Sequence, residues 1–210
     1  MKQIRDAEKT REKILKCATK VFSKQGFEGA SLSTILKEAG VNKRMVYHYY
    51  GSKEGLYHAV HIRQWHLLGQ WFATELLPPG KPNPASTKEM LFRALEIFHD
   101  FSASHHEFVR LLMWDGLEGG KVSKALWKDI RGPLFHKIAA LLDAAKAEGT
   151  LSKGLKADHL VISFMGVILV YFSHAESLED MFGGKSLLKP KAAQERKEQV
   201  MKLFDRIFLD

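Results

Sequence analysis

The sequence predicts an all-α protein of about nine helices, a three-helix unit over residues 1–55 followed by a larger helical unit over residues 56–210. Three observations carry this. Apolar residues recur at spacings of three and four from Ile14 to Phe208, and no stretch alternates as a half-buried strand would. Capping residues and glycines bracket two of the shortest periodic runs, Ser31 with Gly40 and Asn42 with Gly51. With 45% hydrophobic residues, a chain of 210 residues can bury a core without disulfides or metals.

The first helix runs from about Asp6 to Gln25, its apolar face marked by Ile14, Leu15, Ala18, Val21 and Phe22. Cys17, the single cysteine, sits at the edge of that face and has no partner for an internal disulfide. Gly26 and Gly29 let the backbone turn sharply toward Ser31, an N-cap residue for a two-turn helix carrying Leu32, Ile35, Leu36 and Ala39. Gly40 ends that helix and Asn42 caps the next, Lys43 to Tyr50. Two short helices joined by so tight a turn form a helix-turn-helix. Ser52 starts a long fourth helix, which Leu56, Tyr57, Val60, Trp65, Leu68, Trp71, Phe72 and Leu76 sustain to Leu77, and the proline-rich stretch from Pro78 to Pro84 breaks it. Further helices are marked by Leu91 to Phe101, Phe108 to Met113, Leu134 to Ala145, Leu160 to Phe172, and a last one from about Pro190.

Charge is unevenly placed. The net charge is +8, and residues 1–56 hold 12 Lys and Arg against 6 Asp and Glu, whereas residues 57–210 hold 20 against 18. The positive field therefore surrounds the helix-turn-helix, the footprint expected for a phosphate backbone. The second helix of that motif opens with Lys43 and Arg44 and carries Tyr47 and His48, groups that reach phosphates and base edges. Lys2, Arg5, Lys9 and Arg11 extend the basic region as an N-terminal arm.

The run ILKCATKVFSKQGFEGASLSTILKEAGVNKRMVYHYYGSKEGL, residues 14–56, resembles the N-terminal domain of the tetracycline-repressor-like (TetR) family of bacterial transcription regulators. The likeness rests on the Gly26-Phe27-x-Gly29 turn, the Ala39-Gly40-Val41 turn and Tyr47-x-Tyr49-Tyr50-Gly51-Ser52-Lys53-Glu54. It implies that Lys43, Arg44 and Met45 meet base edges while Tyr47, His48 and Lys53 hold the phosphate backbone. Ser31, Ser33 and Asn42 complete the expected DNA-binding set. Family members commonly have a small residue where Arg44 and Met45 stand, so base preference does not carry over.

For the second unit the resemblance implies a pocket for a small hydrophobic or aromatic effector, with Trp65, Phe72, Phe98, Phe101, Met113, Trp114 and Trp127 as candidate lining. Asp100, His105, Arg110 and Asp115 are the polar neighbours that could orient a ligand. The segment Leu160 to Phe172 is apolar on every side, too short to cross a bilayer, and so needs cover on every side. The last helix sets Val200, Leu203, Phe204 and Ile207 against a charged face. Together with the resemblance this predicts a homodimer joined through Leu160, Phe164, Ile168, Tyr171, Val200, Leu203, Phe204 and Ile207. One short recognition helix contacts few base pairs, and doubling it over a palindrome supplies affinity and register.

The expectation is a cytoplasmic, ligand-responsive regulator of double-stranded operator DNA, acting as a repressor, with no membrane segment. Activation, in which ligand favours the DNA-competent spacing, is the other mode the sequence allows. A helical adaptor whose basic unit meets acidic protein surfaces is the rival reading from a different class. No G-x-G-x-x-G, G-x-S-x-G or H-E-x-x-H occurs, and Gly184-Lys185-Ser186 lacks the upstream glycine of a phosphate loop. His58 with His61 and the pair His105-His106 lack the cysteines or carboxylates of a metal shell, so neither metal nor cofactor is expected.

Overall fold

The computed structural model describes the backbone of residues 2–80 and 82–209 and the side chains of residues 7–80 and 82–209. Within these it contains α1 (Lys2–Gly29), α2 (Leu32–Ala39), α3 (Lys43–Tyr50), α4 (Lys53–Glu75), α5 (Thr87–Ser104), α6 (His106–Leu117), α7 (Lys121–Ala125), α8 (Gly132–Ala147), α9 (Ala157–Ser173), α10 (Ala175–Leu178) and α11 (Pro190–Asp205). A π-helical turn, Trp127–Arg131, leads into α8, and a 3₁₀ turn, Glu179–Phe182, follows α10. No strand occurs among the described residues; an isolated bridge joins Leu151 to Phe208.

The all-α expectation holds, with two more helices than the periodicity predicted. α7 and α10 span four or five residues, too few for an apolar spacing of three and four to repeat. α1 is broken where expected: Gly26 has φ 69° and ψ −174°, so the regular helix ends at Gln25. At its other end α1 begins at Lys2 rather than near Asp6. Lys9 and Arg11 therefore lie on a helix and not on a loose arm, while the side chains of Lys2 and Arg5 fall outside the described residues. Arg11 meets the helix-turn-helix directly, because its carbonyl accepts the Tyr50 hydroxyl at 3.0 Å.

The core of the first unit forms where α1, α2, α3 and the start of α4 converge. Ile14, Ala18 and Phe22 of α1, spaced four apart on one face, bury against Ile35 and Ala39 of α2, Val46 of α3 and Leu56 and Val60 of α4. In the second unit α5 is the central helix, packed by α4, α8, α9 and α11. Ser86 caps it by accepting the Glu89 N–H at 3.2 Å, which fixes its start after the proline-rich turn. No single described helix is long and apolar enough to cross a membrane. Within one chain α9 is covered on only part of its circumference: Leu160, Ile168, Leu169, Tyr171 and Phe172 are buried, whereas Ile162 is 67% and Val170 50% exposed.

Candidate nucleic-acid interface and apolar cavity

The turn between α2 and α3 is built by backbone chemistry. Gly40 takes the left-handed conformation (φ 58°), which lets the Gly40 and Val41 N–H groups reach the carbonyls of Lys37 and Leu36 at 3.2 and 3.1 Å. Asn42 then caps α3 by accepting the Met45 N–H at 3.1 Å. Ser31 holds the N-cap position of α2 with extended backbone, but its hydroxyl pairs with Ser33 at 2.5 Å instead of capping the helix. Lys43, Arg44, Tyr47 and His48 all project into solvent from α3, and Ser31, Ser33 and Asn42 are exposed beside them. Met45 differs, being half-buried and packed on the core through which Val46 anchors α3. Lys53 opens α4, its ammonium 4.6 Å from the Phe27 ring centroid. There it adds a cation to a helix start whose Gly55 N–H Ser52 already caps at 3.0 Å, so the ammonium and the positive end of the helix dipole together favour an anion.

Behind this face the two units are fastened by a contact that periodicity did not reveal. The Trp114 indole lies on Gly26 so closely that a Cβ added there would stand 2.7 Å from the ring. The same indole N–H donates to the Ser23 carbonyl at 3.2 Å. Glu118, just past the end of α6, accepts the Phe27 N–H at 2.8 Å and the Tyr57 hydroxyl at 3.3 Å. Burial and the neighbouring carboxylate push the Tyr57 hydroxyl well above its usual pKa of 10, so it stays a donor. The end of α6 therefore grips the broken end of α1 and the first turns of α4. In the sequence, the only trace was an aromatic residue and an acid at helical spacing.

An apolar cavity of about 90 Å³ lies between α4, α5, α8, α9 and α11. Trp65, Leu68 and Phe72 of α4 face Leu91, Leu95 and Phe98 of α5, with Leu134, Phe135 and Ile138 of α8 and Val161, Phe164 and Met165 of α9 closing it. Of the expected lining, Trp65, Phe72 and Phe98 are there. Phe101 is fully buried elsewhere, stacked on His105 at 4.1 Å; Trp114 belongs to the grip on α1; Trp127 is 43% exposed; and Met113, half-buried, also lies outside the lining. None of the proposed orienting groups reaches the cavity. Asp100 pairs with Lys197 at 2.9 Å, Asp115 accepts the Val122 and Ser123 N–H groups at 3.0 Å each, His105 packs on Phe101, and Arg110 is exposed.

The residues expected at a dimer interface divide. Leu160, Ile168, Tyr171, Val200 and Phe204 are buried inside the chain itself, Phe204 among Phe92, Phe164 and Phe208 at the cavity rim. Phe164 and Ile207 are half-buried, and Leu203 is 54% exposed. The apolar groups that face outward from α9 and α11 are Ile162, Val170 and Leu203. Hydrophobicity alone could not tell these from the buried ones, because α9 is apolar on every side. Among the described residues no group of three or more His, Cys, Asp or Glu could hold a metal ion.

Comparison with known proteins agrees with this geometry. Residues 14–60 match the family profile described as bacterial regulatory proteins, tetR family, and residues 88–203 match the tetracyclin repressor-like C-terminal domain. The HTH-type transcriptional repressor NicS of Pseudomonas putida is 30% identical over 175 residues, covering 82% of this chain and 80% of its own. In fold, the chain superposes on the ketosteroid transcriptional regulator KstR2 of Mycobacterium tuberculosis with a TM-score of 0.72 at 15% identity, over 95% of both chains. A transcriptional regulator from Saccharomonospora viridis, solved in complex with choline, gives 0.71 at 14% identity, covering 97% of this chain and 99% of that one. A helix-turn-helix with an exposed basic recognition helix, joined to a helical domain enclosing a cavity, and matched by family profiles in both halves, is a DNA-binding transcription regulator rather than an enzyme, and the chain belongs to the TetR family.

Proposed function

We propose that this protein is a cytoplasmic repressor that binds a palindromic operator as a homodimer and leaves it when a small apolar molecule occupies the cavity. The observation that carries this reading is the course of α4. Only Gly51 and Ser52 separate it from the recognition helix α3, and it continues until Trp65, Leu68 and Phe72 form one wall of the cavity. A displacement at that wall is therefore felt at the recognition helix. The cavity is far smaller than the roughly 300–1,000 Å³ of a typical ligand pocket, so an effector has to part the helices around it. The grip of Trp114 and Glu118 on α1 adds a second route, since α6 moves with the second unit and α1 with the first. On this reading residues 1–55 form the DNA-binding unit and residues 56–210 the effector and dimer unit, with the boundary inside α4.

Lys43 and Arg44 read base edges, Tyr47, His48 and Lys53 hold phosphates, and Met45, being half-buried, makes an edge contact with the bases. Dimerisation through the outward faces of α9 and α11 is supported by the exposed Ile162, Val170 and Leu203, and by Gly166, which stands between the first two and allows close backbone approach. The two recognition helices then enter successive major grooves about 34 Å apart, so a shift of a few ångströms forfeits contacts. The experiment is selection of bound genomic fragments by the full-length protein, followed by titration of candidate ligands with and without the selected operator. Linkage requires operator to weaken effector binding by the same factor as effector weakens operator binding. Ligand affinity that ignores operator would refute the coupling for that ligand, and tightened operator binding would refute release, showing instead a ligand that favours the DNA-competent spacing.

A further inference from the structure

Polar groups taken out of water almost always find hydrogen-bond partners, and Arg131 departs from that rule. It closes the π-helical turn Trp127–Arg131, a helix type that recurs at functional sites. Its guanidinium carbon stands 5.0 Å from the Trp65 ring centroid, 5.6 Å from Phe135 and 6.0 Å from Trp127. Its Nε is buried and has no hydrogen-bond partner, and no ion pair within the described residues involves it. Asp115 acts on it through space, but that carboxylate is already committed to the N–H groups that start α7. On its outer side Arg131 shares an open recess with Gly120, Ser123, Lys124 and Trp127, which places two cations and a hydroxyl together with no acid. On its inner side, Trp65 and Phe135 are both walls of the apolar cavity.

The cavity lining carries no charged, hydroxyl or amide side chain, and the Trp65 indole is its one N–H donor, so it holds no group that pairs with a charged or strongly polar end of a ligand, which pockets ordinarily meet with a few polar groups. The unspent donors stand just behind two of its wall residues. An arginine fork matches an oxyanion bidentately, and a partly desolvated guanidinium gains more from that pairing than one in water. We propose that the effector is an amphipathic anion, its apolar body in the cavity and its carboxylate or other oxyanion on Arg131, with Lys124 assisting from the recess. This rests on the cavity being the effector site.

The test uses full-length protein and three probes of equal chain length below micellar concentrations: octanoate, octyl sulfate and octanol. Calorimetric titration is expected to show octanoate or octyl sulfate bound at least about tenfold more tightly than octanol, the scale of one charge-assisted hydrogen bond. The stronger of the two anions identifies the headgroup. Arg131→Gln should abolish the preference while leaving octanol within about twofold, and Lys124→Gln, at an exposed position, should narrow it about two- to threefold. Leu134→Trp, which fills the cavity from its half-buried rim, should weaken all three probes. Equal binding of anion and alcohol, or an unchanged preference in Arg131→Gln, overturns the anion inference and leaves the cavity reading standing. Binding that survives Leu134→Trp unchanged, or no binding of any probe, overturns both. If circular dichroism shows Arg131→Gln unfolded, Lys124→Gln decides by the same ratio.

Discussion

Replacing Gly26 with Ala adds one methyl group at the point where the DNA-binding unit is held against α6. Gly26 has φ 69° and ψ −174°, a region essentially confined to glycine, and a residue with a Cβ forced into such a region costs on the order of 1–3 kcal/mol. The new Cβ would stand 2.7 Å from Trp114 Cε3 and 2.9 Å from Glu118 Oε1, well inside the roughly 3.5–4.0 Å of a relaxed carbon contact. Displacing a packed indole to relieve it costs about another 1–3 kcal/mol. The expected loss is therefore about 2–6 kcal/mol, against a total stability on the order of 5–15 kcal/mol for a domain. Gly51 supplies the control: it also has positive φ, 74°, but a Cβ there would meet nothing within 4 Å. Gly51→Ala carries the backbone cost alone. Urea unfolding of both variants, followed by circular dichroism at one fixed protomer concentration, should place Gly26→Ala about 1–3 kcal/mol below Gly51→Ala. Equal losses would refute the tight seating of Trp114 on Gly26, and with it the role given to α6 in joining the two units.

Lys53→Ala should weaken operator and unrelated duplex alike and flatten the salt dependence by about 0.9 per protomer, as for one lost phosphate contact; a loss confined to one base position, in binding assays on substituted operators, would reassign Lys53 to base reading. Ile162→Glu should give monomers in sedimentation while leaving helicity intact, because Ile162 is 67% exposed on α9. Phe204→Glu should instead unfold the chain, since Phe204 is 3% exposed in the core; a folded, soluble Phe204→Glu protein would contradict that packing. Burial pulls the His61 imidazole from 6.5 down to about 4. The unfolded chain then takes up that proton near pH 6.5 and the folded one only near 4, so its contribution is fully present above 6.5 and falls away as the pH drops toward 4. The change is up to about 3 kcal/mol across that window, and His61→Leu should remove it from the pH profile of urea unfolding; identical slopes in both proteins would count against it.

Much of the fold was legible because helix formation and its punctuation are local. The break at Gly26, the turn at Gly40 and the cap at Asn42 each depend on the backbone freedom or hydrogen bonding of one residue, and each stands where the sequence put it, whereas α4 ends at Glu75, two residues short of the expected Leu77. The exposed recognition face was legible for the same reason. Once α3 is a helix with Val46 inward, Lys43, Arg44, Tyr47 and His48 have to face out, and only Met45, one position from Val46, is drawn partly under. Ser31 shows the limit even of local reading, since its backbone takes the cap position while its hydroxyl turns to Ser33.

What only the tertiary structure decided is which apolar residues look at one another. Leu160, Ile162, Ile168 and Val170 are nearly equivalent in hydrophobicity, yet Ile168 is fully buried and Ile162 mostly exposed, because α5, α6 and α8 approach α9 from particular sides. Phe98 and Phe101 differ by three positions on α5, and that rotation separates a cavity wall from a core stack on His105. Trp114 owes its place on Gly26 to contact across 88 residues of chain, and Arg131 owes its aromatic surroundings to α4 and α8 together. Helical periodicity reports that a residue has an apolar neighbour but not which one, because burial is non-directional while cavities, grips and caged charges are defined by the relative placement of elements far apart in sequence.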